Sequence, residues 1–158
     1  MVRRLHQQLA ERQQTVAVAE SLTGGLLAAA LTDPAGASAT FRGGLVVYAT
    51  DLKASLAGVP AELLARVGAV DAAVAAALAR GVRQRLSASW GIGVTGVAGP
   101  QPQDGQPVGT VFLAVAGPAG SGELVARLLL DGDRNTIRSQ TVEHGVALLS
   151  KAILGARS

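Results

Sequence analysis

The sequence contains no cysteine and very few aromatic residues, and both absences narrow the classes of function. Without cysteine, the 158-residue chain has neither disulfides nor thiolate metal ligands. The only two histidines are His6 and His144, which argues against a multi-histidine metal site. One Trp, one Tyr and two Phe offer almost no surface on which the bases of a single strand could stack. We therefore expect no metal ion and no nucleic-acid partner.

Long apolar runs and concentrated charge are also missing. No apolar stretch approaches the ~18–20 residues that a membrane-spanning helix needs. The amino terminus, residues 1–9, is too polar for a signal peptide. These features predict a cytoplasmic protein with no membrane partner. The formal net charge is only +3, and the group Arg80, Arg83 and Arg85 is interpreted as the solvated face of a helix, so a small anionic ligand remains compatible.

Helical and extended patterns alternate along a chain that is 49% hydrophobic and has the length of one domain. The patterns predict helices over residues 2–13, 22–33, 51–57, 61–67, 71–86 and 134–154 and strands over 15–19, 41–49, 90–95, 110–116 and 123–130. The link 117–122 is too short for a crossover helix, so the last two strands should be antiparallel. The prediction is a single α/β domain over residues 1–158, a three-layer α/β/α sandwich with a mixed, mostly parallel five-stranded sheet containing one antiparallel strand.

Polar side chains and glycines gather where the predicted strands meet loops. The first cluster, residues 20–25, joins the first strand to a helix, and further clusters occupy 36–38, 48–53, 95–100 and 131–134. A strand-to-helix junction attracts anionic ligands because the first N–H groups of the helix are free. The alternative is structural: Ser21 or Thr23 would only cap the next helix.

A lysine near the second strand offers the base that a serine needs for hydrolytic chemistry. Both histidines lie on the first and last predicted helices, far from these loops, whereas Lys53 follows the second strand beside Tyr48. Burial lowers the pKa of a lysine and lets it act as a base. Ser21, Ser38 and Lys53 could form a relay; the alternative for Lys53 is a solvated charge on a helix.

Glycines and an arginine suggest contacts with an anion. Residues 24–25 and 96–99 could bring backbone N–H groups close to an oxyanion or a phosphate, or serve turn geometry alone. Arg134 begins the last helix, where its guanidinium suits a phosphate monoester. The alternative is a salt bridge from Arg134 to Asp131 or Asp133. Phosphate-loop and dinucleotide signatures are missing, so no nucleotide cofactor is expected.

Taken together, these motifs resemble the CinA carboxy-terminal domain family, also known as nicotinamide mononucleotide (NMN) amidohydrolase or NMN deamidase. The resemblance covers about residues 4–155 and rests on the segments 19–25, 33–38, 44–49, Lys53, 68–70, 95–100, 107–111 and 132–134. It implies hydrolysis of the NMN carboxamide to nicotinic acid mononucleotide and ammonia, a step of pyridine nucleotide salvage. It also implies an α/β/α sandwich with a five-stranded mixed sheet, a phosphorylated pyridine nucleotide as substrate, and neither metal nor cofactor.

The resemblance also implies a role for each matching residue. Ser38 would be the acylated nucleophile, Lys53 its general base, and Ser21 a relay between them, with Ser21 as the alternative nucleophile. Tyr48 would line the nicotinamide pocket or assist the leaving group. Arg134 would hold the 5′-phosphate. The remaining expected substrate contacts are Glu20, Thr23, Gly24, Gly25, Thr95, Gly96 and Gly99.

Two other functions stay open at this point. One is a non-catalytic module that binds a phosphorylated nucleotide and acts with a partner protein; the other is an amidase for a different substrate. Larger members of the family carry an amino-terminal domain linked to nucleotide pyrophosphatase activity, and this sequence has no such segment, so we expect no such activity. The sequence leaves a homo-oligomer open.

Overall fold

Five strands form a single sheet in the computed structural model, which describes residues 1–156. The strands are β1 (Val16–Glu20), β2 (Phe41–Val46), β3 (Trp90–Gly96), β4 (Thr110–Ala116) and β5 (Glu123–Leu129). Their order in the sheet is β2-β1-β3-β4-β5. Strands β1, β2 and β3 are parallel, and β4 is antiparallel to both of its neighbours, so β5 runs in the same direction as the first three. The predicted mostly parallel sheet with one antiparallel strand is confirmed.

Helices cover both faces of this sheet. They are α1 (Val2–Glu11), α2 (Leu26–Thr32), α3 (Thr50–Ser55), α4 (Ala61–Val67), α5 (Ala72–Arg85) and α6 (Arg134–Gly155), with one 3₁₀ turn at Ala37–Ala39. Helices α1, α2 and α6 pack on one face, and α3, α4 and α5 pack on the other. The predicted three-layer sandwich is therefore confirmed. Among residues 1–156, no helix is both long enough and apolar enough to cross a bilayer.

The two faces of the sheet are packed with side chains of different size. On the first face, large aliphatic side chains such as Leu27 and Leu149 pack on Ile92 and its neighbours in the sheet. On the second face, the alanine-rich helix α5 lies directly on β3. This close approach needs glycine in the strand, because a Cβ on Gly93 would collide with the carbonyl of Ala75. The resulting contact packs α5 directly on β3, the middle strand of the sheet.

The largest departure from the predicted elements occurs after β1. Helix α2 begins at Leu26 instead of residue 22, because Gly24 (φ +56°) and Gly25 (φ +103°) adopt left-handed conformations that a helix excludes. The Glu20 carboxylate accepts the N–H groups of Leu27 (2.8 Å) and Ala28 (3.0 Å). The structure thus contradicts the capping alternative for Ser21 and Thr23, since a carboxylate from the preceding strand satisfies the first turn of α2.

Candidate active site

The sheet topology creates a crevice at the edge where the parallel strands end, called here the carboxyl edge. Strand β1 connects to β2 on one side, whereas β3 connects to β4 on the other, so the chain diverges from the ends of β1 and β3. Small ligands commonly bind at such a switch point. Because β4 starts and β5 ends at this edge, the loop 97–109 and the start of α6 also lie there.

A cleft of about 280 Å³ opens at this edge. Its volume is close to the ~300–1,000 Å³ typical of small-molecule sites. Residues from five separate segments form its wall: Ser21, Leu22, Tyr48, Ala69, Val70, Thr95, Gly96, Val97, Ala98, Gly99, Pro100, Gln101, Pro102, Gln103 and Arg134. The walls therefore come from segments that are distant in sequence and that the sheet brings together.

A buried lysine contacts the serine at the base of the cleft. Lys53, on α3, is 1% exposed, and its Nζ donates to Ser21 Oγ at 3.1 Å. The same Nζ donates to the carbonyl oxygens of Val47 (2.8 Å) and Tyr48 (3.1 Å). All three donors of the ammonium are thus engaged. The structure contradicts the alternative of a solvated lysine and brings together two of the three members of the predicted relay.

Burial changes the proton affinity of this lysine. Desolvation lowers the pKa of Lys53 from 10.5 to about 8, and the negative charge of Asp104 opposes part of that decrease. The cause is the cost of holding an ammonium away from water. A lysine with such a pKa is partly neutral near pH 8. In its neutral form, Nζ has a lone pair that can accept a hydrogen bond from the neighbouring Ser21 hydroxyl.

Asp104 fastens the loop 97–109 to the segment before α5. Its Oδ2 accepts the N–H of Ala69 at 2.7 Å, and the Ala69 carbonyl accepts the Thr95 hydroxyl at 2.6 Å. Gly68 has a φ of +78°, and a Cβ there would lie 2.6 Å from Asp104 Cγ, so the close approach needs glycine at this position. Thr95 lines the cleft as predicted, but its hydroxyl is already engaged by the backbone.

Arg134 stands at the mouth of the cleft together with Tyr48. Its Nη1 donates to the Gly99 carbonyl at 2.7 Å, and its Nη2 donates to Tyr48 Oη at 3.1 Å. Both residues are exposed; Tyr48 retains 58% of its surface. Among residues 1–156 no ion pair joins Arg134 to Asp131 or Asp133, so the structure does not support the salt-bridge alternative. The guanidinium is accessible to an anion in the cleft.

Ser38 lies at the opposite edge of the sheet. It precedes β2, whose first residue, Phe41, pairs with Val16 at the start of β1, whereas Ser21 follows the last residue of β1. The five-residue length of β1, at about 3.3 Å per residue, separates Ser38 from Ser21 by roughly 16 Å. Ser38 is also exposed. The structure therefore contradicts the predicted relay that includes Ser38, and Ser21 is the serine beside the lysine.

Four of the predicted substrate contacts do not reach the cleft wall. Glu20 is fully buried, and both of its oxygens are used by α2. The Thr23 hydroxyl is fully buried and has no hydrogen-bond partner in the described part of the chain. Gly24 and Gly25 shape the turn instead of lining the cavity. The predicted substrate-binding residues that do line the wall are Thr95, Gly96, Gly99 and Arg134.

Sequence reasoning missed two charged residues at this site. One is Asp104, in the loop 97–109. The other is Arg138, whose Nε donates to the Leu22 carbonyl at 2.9 Å and whose Nη2 donates to the Thr23 carbonyl at 3.2 Å. A signal for Arg138 was present: it follows Arg134 by four residues, which places both arginines on one face of a helix. Within residues 1–156, no cluster of three or more His, Cys, Asp or Glu residues could hold a metal ion.

The fold and the cleft place the protein among three-layer α/β proteins that have a cleft at the carboxyl edge of the sheet. More specifically, the chain belongs to the CinA C-terminal domain family, whose sequence profile matches residues 1–153. This finding confirms the resemblance that the motifs indicated.

Relatives and solved structures agree with that assignment. The chain is 52% identical over 147 residues to a CinA-like protein of Frankia casuarinae. The matched region covers 93% of this chain and 34% of that protein. It is 44% identical over 148 residues to a putative competence-damage inducible protein of Geobacillus, with coverages of 94% and 35%. The chain thus spans about a third of the length of these relatives.

Two crystal structures have the same fold over nearly their whole length. A CinA superfamily protein from Klebsiella pneumoniae superposes with a TM-score of 0.91 at 31% identity, covering 97% of this chain and 95% of that chain. A competence/damage inducible protein from Agrobacterium tumefaciens also gives a TM-score of 0.91, at 37% identity, with coverages of 96% and 92%. These names identify the family and describe no reaction.

Proposed function

We propose that the protein hydrolyses the carboxamide of NMN, with Ser21 as the nucleophile and Lys53 as its general base. The observation that carries the proposal is the buried Lys53 Nζ, 3.1 Å from Ser21 Oγ, with a pKa lowered to about 8. This separation is within hydrogen-bond reach, as nucleophilic catalysis requires. The motifs shared with the family suggest the substrate, and the serine–lysine pair supports the reaction class.

The proposed reaction proceeds through an acyl-enzyme. Neutral Lys53 takes the proton of the Ser21 hydroxyl as Oγ attacks the carboxamide carbon, giving a tetrahedral intermediate. The C–N bond then breaks, and Lys53 returns the proton to the leaving ammonia. A water molecule next attacks the ester carbon and gives its proton to Lys53. Nicotinic acid mononucleotide leaves, and Ser21 regains its proton from Lys53.

The charges around the cleft support a phosphorylated pyridine nucleotide as substrate. Arg134 holds its guanidinium at the mouth, where each terminal nitrogen has one N–H beyond its bond to Gly99 or Tyr48 that a phosphate could accept. Tyr48 stands beside it and has an exposed ring that could contact the nicotinamide. The pyridinium charge of NMN withdraws electrons from the carboxamide, which makes its carbon more electrophilic towards Ser21.

The first test separates the two serines. We expect Ser21→Ala to reduce ammonia release from NMN to background and Lys53→Met to lower kcat by about 10²–10⁴-fold, the usual contribution of proton transfer. Ser38→Ala is the matched control, and we expect it to keep wild-type kcat because Ser38 lies at the other edge of the sheet. Turnover close to wild type in Lys53→Met would reject the mechanism, and loss of activity in Ser38→Ala would restore Ser38 as the nucleophile.

The second test concerns the phosphate. If Arg134 holds the 5′-phosphate, Arg134→Gln should raise KM for NMN with a smaller change in kcat, because uniform binding energy is lost. Nicotinamide riboside, which has no phosphate, should be a poor substrate for the wild type and respond little to the same substitution. An equal effect of Arg134→Gln on both substrates would show that Arg134 does not contact the phosphate. Tight NMN binding without ammonia release would instead support the non-catalytic module.

A further inference from the structure

We infer that Gln101 and Gln103 bind the two ribose hydroxyls of the substrate and make the cleft selective for a ribonucleotide. The inference rests on the proposed function, because it takes NMN as the molecule that spans the cleft. Both glutamines belong to the loop 97–109, and both are exposed and line the cleft wall. They determine specificity and take no part in the chemical step at Ser21.

The other polar side chains of the cleft wall already have a partner inside the protein. Ser21 contacts Lys53, and Tyr48 contacts Arg134. The Thr95 hydroxyl donates to a backbone carbonyl at 2.6 Å. The remaining polar side chains of the wall are the two glutamines, and in the described part of the chain their amides form no hydrogen bond. These amides are therefore available to a ligand in the cleft.

The covalent structure of NMN determines where its ribose lies in the proposed site. The carboxamide has to meet Ser21 Oγ at the base of the cleft, and the phosphate meets Arg134 at the mouth. The ribose joins these two groups and therefore lies along the wall between them. Arg134 donates to the Gly99 carbonyl at 2.7 Å, so the segment from Gly99 to Gln103 forms the wall next to the phosphate. The glutamines thus lie on the side of the cleft that the ribose passes.

A two-residue turn fixes the backbone of Gln103. Gln103 and Gln106 exchange backbone hydrogen bonds at 3.1 and 2.8 Å, with Asp104 (φ +50°) and Gly105 (φ +72°) between them. Two successive positive φ angles define a type I′ turn, for which Asp-Gly is a preferred pair. The Asp104 carboxylate also accepts the Ala69 N–H at 2.7 Å, which ties the turn to the segment before α5. Because the backbone is held before a ligand arrives, binding does not have to order the loop.

A pair of primary amides suits a vicinal diol. Each amide has a carbonyl oxygen that accepts and an NH₂ group that donates, and each hydroxyl likewise donates and accepts. Pro102 lies between the two glutamines; it fixes its own φ and disfavours a helical conformation at Gln101, so the segment has few alternative conformations. A substrate that lacks one hydroxyl leaves one amide without its partner.

The test combines substitutions of the glutamines with deoxy substrates. Initial rates of ammonia release give kcat/KM for NMN, 2′-deoxy-NMN and 3′-deoxy-NMN with the wild type, Gln101→Met and Gln103→Met. Methionine keeps the length of the side chain and removes both hydrogen-bonding groups. We expect the wild type to prefer NMN over each deoxy analogue by about 3–10-fold, the contribution of one hydrogen bond.

Each substitution should remove the preference for one hydroxyl. We expect Gln101→Met and Gln103→Met each to lower kcat/KM for NMN by about 3–10-fold, mainly through KM, because the contact is made equally in the ground state and the transition state. Each should leave kcat/KM unchanged for one of the two deoxy analogues. Coupling of this kind indicates direct contact, since a distorted loop would lower the rates of all three substrates alike.

Gln106→Met is the matched control. Gln106 belongs to the same turn, bonds to Gln103 through its backbone, and does not line the cleft. We expect this variant to keep the wild-type kcat/KM for all three substrates, because methionine leaves the backbone hydrogen bonds in place.

The outcomes separate the inference from the proposed function. A wild type that hydrolyses NMN and both deoxy analogues equally well would overturn the ribose contacts and leave the serine mechanism intact. Unchanged selectivity in both glutamine variants, or an equal loss of selectivity in Gln106→Met, would overturn them as well. Wild-type protein that releases no ammonia from NMN would refute the proposed function, and the inference with it.

Discussion

The chemistry of the cleft depends on the balance of two opposing influences on one amine. Burial lowers the pKa of Lys53 to about 8, while the carboxylate of Asp104 favours the charged form. Asp104 also anchors its loop to the Ala69 N–H. Asp104 therefore both holds its loop in place and raises the pKa of Lys53. A substitution that removes the charge of Asp104 but keeps an oxygen for the Ala69 N–H separates these two effects.

Asp104→Asn should move the pH dependence of activity to lower pH. In the wild type, kcat/KM should rise with pH through about 8, because the proposed mechanism uses Lys53 in its neutral form. Asparagine retains an oxygen for the Ala69 N–H but removes the negative charge, so the pKa of Lys53 falls further. Asp51→Asn, at an exposed position on the same helix as Lys53, is the control. An unchanged midpoint in Asp104→Asn would contradict a Coulombic role for Asp104.

At the scale of elements, the strand-to-helix junction depends on a carboxylate buried under the turn. Glu20 belongs to β1, yet its two oxygens satisfy the N–H groups of Leu27 and Ala28 in the first turn of α2. This contact fixes where α2 begins and thereby the shape of the intervening turn, residues 21–25. A junction held in this way presents Ser21 in one conformation, which a glycine-rich turn alone would not ensure.

Glu20→Gln should lower the free energy of unfolding by about 1–3 kcal/mol, because the amide replaces one acceptor by a donor that faces an N–H. The measurement is urea unfolding of both proteins. Asp71→Asn is a matched control: Asp71 caps α5 through the Ala73 N–H at 2.7 Å, and asparagine caps helices as well as aspartate does. Equal stability of Glu20→Gln and Asp71→Asn would mean that the Glu20 contacts contribute little.

The order of elements was accessible from the sequence, whereas their boundaries depended on contacts outside each element. Apolar periodicity and turn residues predict every strand and helix, since these signals are local. The start of α2 was predicted four residues early because apolar periodicity reveals neither the left-handed conformations of Gly24 and Gly25 nor the capping contact of Glu20 from the preceding strand. Arg138 was missed for a related reason: a single arginine within a helix resembles a solvated charge until its partners on another segment are seen.

For the whole molecule, the direction of the strands decides which sequence clusters meet. Segments that follow β1, β2 and β3 share one edge of the sheet, and this brings Lys53 to Ser21 as predicted. Ser38 precedes β2, so the same parallel arrangement carries it to the other edge. The predicted fold already implies this separation, because a residue before β2 and a residue after β1 lie at opposite edges of a sheet in which the two strands are parallel. The pairing of Ser21 with Lys53 was thus predictable from topology, while the exact donor geometry was not.

The buried amine links proton binding to folding. The pKa of Lys53 is near 10.5 in the unfolded chain and about 8 in the folded chain. Between these two pH values the unfolded state binds more protons than the folded state, so the free energy of unfolding rises with pH. Below pH 8 Lys53 is charged in both states, and burying its ammonium lowers the free energy of unfolding by the full desolvation cost. A natural or engineered replacement that relieves this cost would also remove the proposed acceptor of the serine proton, so under the proposed mechanism thermal stability and turnover oppose each other at this position.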